Sequence, residues 1–320
     1  MSTRREANRR SLMLFSALQP ERWEEGLAAG TDILAFDLED GTAPERKPEA
    51  RAKIGPVFER DPGRPMLKYL RINNPRTPDG LRDMLALLDW ATPPDGLLIP
   101  KVESPEEVGW VAVTVCAAHP AIELILIIES PRGLENVAAI ARATPQVAGL
   151  LLGADDLSGD LGSDRGWDAL AYARGRVVSA AAEAGVEAMD GAFYDPEDEA
   201  GLIEEVTRVA AMGFTGKASY HASQIPHIHT GFTPDAAAVA ATYALRQGGG
   251  LAACQAWCRA GWRRRAGGRA GGQDRYCRQD GLRDRGRWQG RRRSIPEGPA
   301  AGLSADPLTQ GARRKAGIGF

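Results

Sequence analysis

Eight short apolar runs recur along the chain, and between them apolar positions fall at helical spacing. The runs are 11–17 (SLMLFSA), 33–37 (ILAFD), 66–71 (MLKYLR), 96–100 (GLLIP), 122–128 (IELILII), 147–152 (VAGLLL), 186–189 (VEAM) and 214–219 (FTGKAS). The fifth and sixth are apolar at nearly every position, not at alternate ones. That pattern predicts strands buried on both faces, as in a parallel sheet. Helices are predicted over 20–29, 44–59, 79–90, 104–118, 132–143, 167–184 and 195–212, with a last one after Ser223, near 234–247. A longer loop containing Gly159, Gly162 and Gly166 is expected after the sixth strand. The punctuation agrees: Gly30, Gly185 and Gly213 stand where helices should end, and Ser104 with Glu107 reads as a capping box. Eight strand–helix units predict an α/β fold, a (β/α)₈ TIM barrel over residues 1–247. A doubly wound open sheet would want a Gly-rich phosphate turn after an early strand, and none is present.

Polar residues gather where the predicted strands end. Asp37, Glu39 and Asp40 follow the second, Arg71 the third, Lys101 the fourth and Glu129 the fifth. Asp155 and Asp156 follow the sixth, Asp190 the seventh, and Lys217 lies within the eighth. In a barrel these ends ring one opening, where barrel enzymes place their chemistry. Glu129 and Asp156 are expected to point into one mouth, and two hard oxygen ligands there suit Mg²⁺. Arg71 can grip a substrate carboxylate with its guanidinium fork. A metal beside it can act as a Lewis acid on a neighbouring oxygen. Such a set fits carbon–carbon cleavage beside a carbonyl, or its reverse. Each acid can alternatively be a solvated strand end or a helix cap, and Lys217 a structural partner of a barrel acid. His221, His227 and His229 lack the carboxylate or Cys that would complete a zinc spacing. They are expected at a loop or subunit contact. Trp23, Trp90, Trp110 and Trp167 fall on predicted helices, as core or interface.

Composition adds bounds. The chain has 320 residues, 43% of them hydrophobic. It has no apolar run near the ~18–20 residues of a membrane helix. Its basic, polar N-terminus precedes too short an apolar stretch for a signal peptide, so a cytoplasmic location is expected. Four cysteines do not suggest a disulfide framework. The net charge of −2 conceals a split: residues 1–250 hold 24 Lys and Arg against 37 Asp and Glu, and residues 251–320 hold 16 against 5. The stretch 248–320 is Arg/Gly-rich, poor in Ile, Val and Phe, and unable to bury a core. It is expected to be a disordered tail, or the product of a shifted reading frame, since GC-rich codons read out of frame yield Arg, Gly, Ala and Pro. Cys254, Cys258 and Cys277 lack a fourth zinc ligand. A basic tail can bind phosphate backbones, but Trp257, Trp262, Tyr276 and Trp288 form no regular stacking pattern. Nucleic-acid binding is therefore the minor alternative.

Six short motifs stand in order over about residues 10–245. They are FDLEDG at 36–41 with Lys47, Ala50 and Arg51; RIN at 71–73; IPKVES at 99–104; IIES at 127–130; GADDLSGDLG at 153–162; and GFTGKASYHASQI at 213–225. Together they resemble the citrate lyase β-subunit-like and malyl-CoA (citramalyl-CoA) lyase proteins of the HpcH/HpaI aldolase superfamily. The resemblance implies a Mg²⁺-dependent barrel (Mn²⁺ as the substitute metal) acting on acyl-CoA thioesters of hydroxy acids. The activities it implies are malyl-CoA, methylmalyl-CoA or citramalyl-CoA lyase, with malyl-CoA thioesterase and a class II aldolase on free hydroxy acids as alternatives. It makes Glu129 and Asp156 the metal ligands, with Glu129 also beside the substrate, and Arg71 the clamp on the substrate carboxylate. Glu39 and Asp40 would hold metal-bound water, and Lys101 would be an active-site cation or an ion-pair partner. It also implies homotrimers or homohexamers. Two departures stand out. His221-Ala222 replaces the usual His-Pro, and the region after residue 248 has no counterpart of the lid motif, whose Asp assists proton transfer.

Overall fold

The protein is described here by a computed structural model that covers residues 8–234 and residue 240. The predicted helix near 234–247 falls almost wholly outside the described residues. The 248–320 segment, with its cysteines, lies outside them entirely.

The eight apolar runs form eight strands: β1 (Ser11–Ser16), β2 (Ile33–Asp37), β3 (Leu67–Arg71), β4 (Gly96–Ile99), β5 (Glu123–Ile128), β6 (Val147–Leu152), β7 (Glu187–Asp190) and β8 (Gly216–Ser219). Each pairs in parallel with the next, and β1 pairs with β8, Ser11 opposite Lys217 and Met13 opposite Ser219, which closes the barrel. This is the predicted (β/α)₈ TIM barrel. The uniform apolarity of the strands has a direct cause. Leu12, Leu14, Ile125, Ile127, Leu151 and Met189 belong to the core inside the barrel. The alternate positions, such as Met13, Leu124, Leu126 and Leu150, pack outward against the helices.

The helical layer comprises α1 (Trp23–Ala29), α2 (Lys47–Ile54), α3 (Pro78–Asp89), α4 (Pro105–Val111), α5 (Pro131–Glu135), α6 (Val137–Ile140), α7 (Ala154–Leu161), α8 (Trp167–Ala184), α9 (Glu199–Met212) and α10 (Ile225–Phe232). Several predicted helices are shorter or broken. The 44–59 stretch is α2 flanked by 3₁₀ turns, Pro44–Arg46 and Gly55–Glu59, because its prolines lack the N–H that a continuous helix needs. The 104–118 helix widens into a π turn over Ala112–Cys116. The 132–143 helix is interrupted at Asn136, whose side chain instead donates to the Glu103 carbonyl at 2.8 Å. The capping box is not formed as predicted: Ser104 makes no cap, and Glu107 accepts from the Glu103 backbone N–H at 3.2 Å. The Gly-rich stretch after β6, expected as a loop, begins as α7, which Gly162 ends in a left-handed conformation at φ 64°. Helix α9 starts four residues later than predicted, at Glu199, because the Asp198 side chain caps it by accepting from Gly201 N–H at 2.8 Å.

Candidate active site

The parity that sends Ile33 and Ala35, Leu67 and Tyr69, and Ile125 and Ile127 into the barrel carries Asp37, Arg71 and Glu129 inward at the C-terminal ends of β2, β3 and β5. Arg71, Glu129, Asp155, Asp156 and Asp40 line one cavity of about 220 Å³ in this mouth. Leu12, Leu14, Leu98, Ile127 and Leu151 make its apolar floor.

Asp37 and Arg71 sit opposite each other in the β2–β3 register. The Asp37 carboxylate takes the guanidinium bidentately, Nε to Oδ1 at 2.7 Å and Nη2 to Oδ2 at 2.6 Å. It also accepts the backbone N–H groups of Glu39 at 2.8 Å and Gly41 at 2.6 Å. Such a paired, charge-assisted fork is among the stronger hydrogen-bonding arrangements. Burial works against the Arg71 charge, but Asp37 and Glu39 outweigh it and hold the side chain protonated. The remaining nitrogen, Nη1, lies 3.2 Å from Glu39 Oε2.

Glu129 is buried, 6% exposed. Its Oε1 accepts the Lys101 backbone N–H at 2.7 Å. Gly153 allows this placement: a Cβ there would stand 2.4 Å from both Cβ and Oε2 of Glu129. Burial first, then the Glu39 carboxylate and Asp156, push the Glu129 carboxyl up to about 7, against the opposing pull of Arg71 and the Lys101 N–H. Glu39 is raised as well, by burial against the pull of Arg71 and Lys101. Asp40 is held low: burial disfavours its charge, but Lys101 outweighs that.

The Lys101 ammonium lies 2.5 Å from Glu39 Oε1, 3.0 Å from Asp40 Oδ2 and 3.4 Å from Asp156 Oδ2. All six predicted site residues, Arg71, Glu39, Asp40, Lys101, Glu129 and Asp156, therefore come together. Asp155 and Asp156 occupy the first turn of α7, where carboxylates suit the positive end of the helix dipole. Asp155 pairs with Arg165 at 2.7 Å.

Asp190 and Lys217 do not join the ring of mouth residues. Parity turns both outward from the barrel, where Lys217 Nζ donates to Asp190 Oδ2 at 2.7 Å, Gly191 O at 2.6 Å and Glu205 Oε1 at 2.6 Å. Arg174 Nε meets the other Asp190 oxygen at 3.0 Å. This is the structural pairing that stood as the alternative for Lys217. The histidines are scattered. His229 Nε2 contacts Ser11 Oγ at 2.8 Å at the opposite end of the barrel, and His227 lies 3.7 Å from Glu199. Among the described residues, no group of three or more His, Cys, Asp or Glu could hold a metal as a cage.

Tyr220 and Tyr194 line the same cavity. Their rings lie 5.8 Å apart, and Arg165 stands over Tyr194 at 4.7 Å. Sequence reasoning missed both. Tyr220 was within reach, being two residues beyond the inward Ala218. Tyr194 lies in an irregular loop and carries no periodic signal.

Residues 10–222 match the HpcH/HpaI aldolase/citrate lyase family. The chain belongs to that family. Within it, the chain is 31% identical over 242 residues to the mitochondrial citramalyl-CoA lyase of Homo sapiens, covering 71% of each. It is 33% identical to the L-malyl-CoA/beta-methylmalyl-CoA lyase of Rhodobacter capsulatus, over 69% of this chain and 78% of the relative. Among solved structures it is similar to RipC from Yersinia pestis, at 38% identity and a TM-score of 0.64, over 72% of this chain and 97% of that one. It is also similar to the citrate lyase beta subunit of M. tuberculosis complexed with oxaloacetate and magnesium, at 31% identity and a TM-score of 0.61, over 72% and 99%. The family member described here thus carries its carboxylates and its arginine in a fold shared with a magnesium-bound relative.

Proposed function

We propose that the chain is a Mg²⁺-dependent carbon–carbon lyase. Its substrate would be a 3-hydroxyacyl-CoA dicarboxylate of the malyl-CoA, methylmalyl-CoA or citramalyl-CoA type, cleaved to an acyl-CoA and a 2-keto acid. The observation that carries this reading is the meeting of Glu129 and Asp156 with Arg71 in one cavity at the barrel mouth. The donor set fits magnesium. Glu129 is held up by burial and by its neighbours Glu39 and Asp156, a concentration of negative charge that a divalent cation relieves. Glu39 Oε2 is buried and accepts no hydrogen bond, with the Arg71 Nη1 cation at 3.2 Å beside it. One or two carboxylates, with water and substrate oxygens completing the shell, is the way Mg²⁺ is commonly held. When bound, Mg²⁺ would supply Lewis acidity at the oxygen on which charge develops.

The chain's own residues do the rest. Asp37 fixes the Arg71 fork through Nε and Nη2, so that Nη1, paired with Glu39 Oε2 at 3.2 Å, is the nitrogen that a substrate carboxylate would share with Glu39. The leucine and isoleucine floor excludes water from the reacting carbons. A cavity of about 220 Å³ has room for the hydroxy-acid end of a substrate, while the thioester arm leaves through the mouth. In the cleavage the hydroxyl oxygen gives its proton to a base, a carboxylate of the mouth or water, and becomes the keto oxygen, and the carbon–carbon electron pair passes to the thioester as its enolate. That enolate must then be protonated. CoA esters and the corresponding free acids should be compared side by side, with Mg²⁺ and with EDTA, scoring keto acid and free thiol. The proposal expects keto acid from a CoA ester with Mg²⁺ alone. Free thiol without keto acid would make the protein a thioesterase, and cleavage of the free acids alone would make it an aldolase.

A further inference from the structure

Lys101 combines three features that no ordinary surface lysine has. It is the one non-glycine among the described residues with a positive φ, 53°, a conformation that costs energy and persists where its surroundings enforce it. Its peptide is gripped from both sides. The N–H donates to Glu129 Oε1 at 2.7 Å, and the carbonyl accepts from Asn74 Nδ2 and Arg76 Nη2, both at 3.0 Å. Its side chain, by contrast, is 36% exposed, and among the described residues the ammonium is held by the carboxylates of Glu39, Asp40 and Asp156. The backbone is pinned while the charged end can swing.

Those three carboxylates are also the acceptors a magnesium ion at Asp156 would need. Mg²⁺ gives up its waters reluctantly, and each retained water must donate to a nearby oxygen. Beside Asp156, the acceptors at hand are Glu39 and Asp40, which the ammonium bridges. Ammonium and hydrated metal thus compete for the same oxygens. Resting on the metal site proposed above, we propose that Lys101 is a resident counter-ion, exchanged for the divalent cation. On this reading metal binding releases the ammonium from Glu39, Asp40 and Asp156 into the mouth, while the Lys101 backbone keeps Glu129 in place. Lys101 is then a positioning residue whose side chain opposes metal binding and whose peptide supports it.

Two measurements test the exchange. Calorimetric titration with MgCl₂ should find Lys101→Met binding the ion about tenfold tighter than the wild type, because a competing charged hydrogen-bond donor has gone. Lys101→Gly removes the same ammonium and accepts the positive φ. It should tighten binding likewise, and it decides the matter if the Met variant fails to fold. In the wild type, reductive methylation followed by peptide mass spectrometry should label Lys101 several-fold faster with Mg²⁺ than without, with exposed Lys53 as the internal reference. Unchanged or weaker binding in both variants, or labelling of Lys101 that Mg²⁺ does not accelerate, would overturn the exchange while wild-type binding sensitive to Glu129→Gln kept the metal site. Absence of Mg²⁺ binding in every protein would overturn the metal site, and the exchange with it.

Discussion

Glu129 carries the sharpest consequence at the scale of single residues. Its carboxyl is raised from 4.5 to about 7 in the folded protein. A raised acid contributes stability that is fully present below its unfolded pKa and is lost as pH rises through the folded one. In metal-free protein that loss falls between about pH 4.5 and 7 and amounts to about 3 kcal/mol. Glu129→Gln keeps the oxygen that accepts the Lys101 N–H and removes the titration. Urea unfolding in EDTA should find it as stable as the wild type at pH 4 and about 3 kcal/mol more stable at pH 8, while it binds no Mg²⁺. Equal stabilities at both pH values would show that Glu129 is not strained by its surroundings. Gly153→Ala tests the same carboxylate sterically. The new Cβ meets Glu129 at 2.4 Å, so Mg²⁺ affinity should fall by about 10–100-fold, measured by calorimetry. At this scale the sequence was informative where strand parity or a strand end marks a residue, as for Arg71 and Glu129. It was silent on Gly153 and on the Lys101 peptide, whose roles arise from contacts across strands.

Among the elements, the buried group of Lys217, Asp190, Arg174 and Glu205 ties β7 and β8 to α8 and α9. Asp190 is fully buried between two cations. Asp190→Asn leaves those charges short of a partner and should cost about 3–5 kcal/mol of stability, read as a lower denaturation midpoint. Because the group lies outside the barrel mouth, Mg²⁺ affinity of the folded variant should match the wild type. A variant with intact stability and lost metal binding would return Asp190 to the active site. Strand ends in acids looked alike in the sequence, and inward or outward orientation separated them. Counting parity from Met189, which belongs to the interior core, already turns Asp190 outward. Helix α7 was not legible because its glycines, Gly159 and Gly162, suggested a loop. Only Gly162 needs glycine's freedom, at the helix end.

At the scale of the whole molecule, eight apolar runs and the chain-order pairing of their strands made the barrel legible from sequence, because a closed parallel sheet buries both faces of every strand. The cavity itself was not legible, since its floor and its tyrosines come from strands and loops distant in sequence. Among the described residues no helix is long and apolar enough to cross a membrane. If the mouth binds Mg²⁺ in the folded state alone, the ion must stabilise the whole barrel. At 100 times its dissociation constant it should add about 2.7 kcal/mol and raise the melting temperature by about 5–11 °C, at about 2–4 °C per kcal/mol for a domain of this size. Asp156→Asn should abolish that shift, and a shift that survives would place the ion elsewhere. The most direct measurement is keto-acid release from malyl-CoA and citramalyl-CoA in three samples of one preparation: with Mg²⁺, with EDTA, and with Mg²⁺ restored after EDTA. Release in the first and third samples only, lost in Glu129→Gln and Asp156→Asn, is expected. Equal release in EDTA, or release undiminished in both variants, would contradict a magnesium lyase built on Glu129 and Asp156.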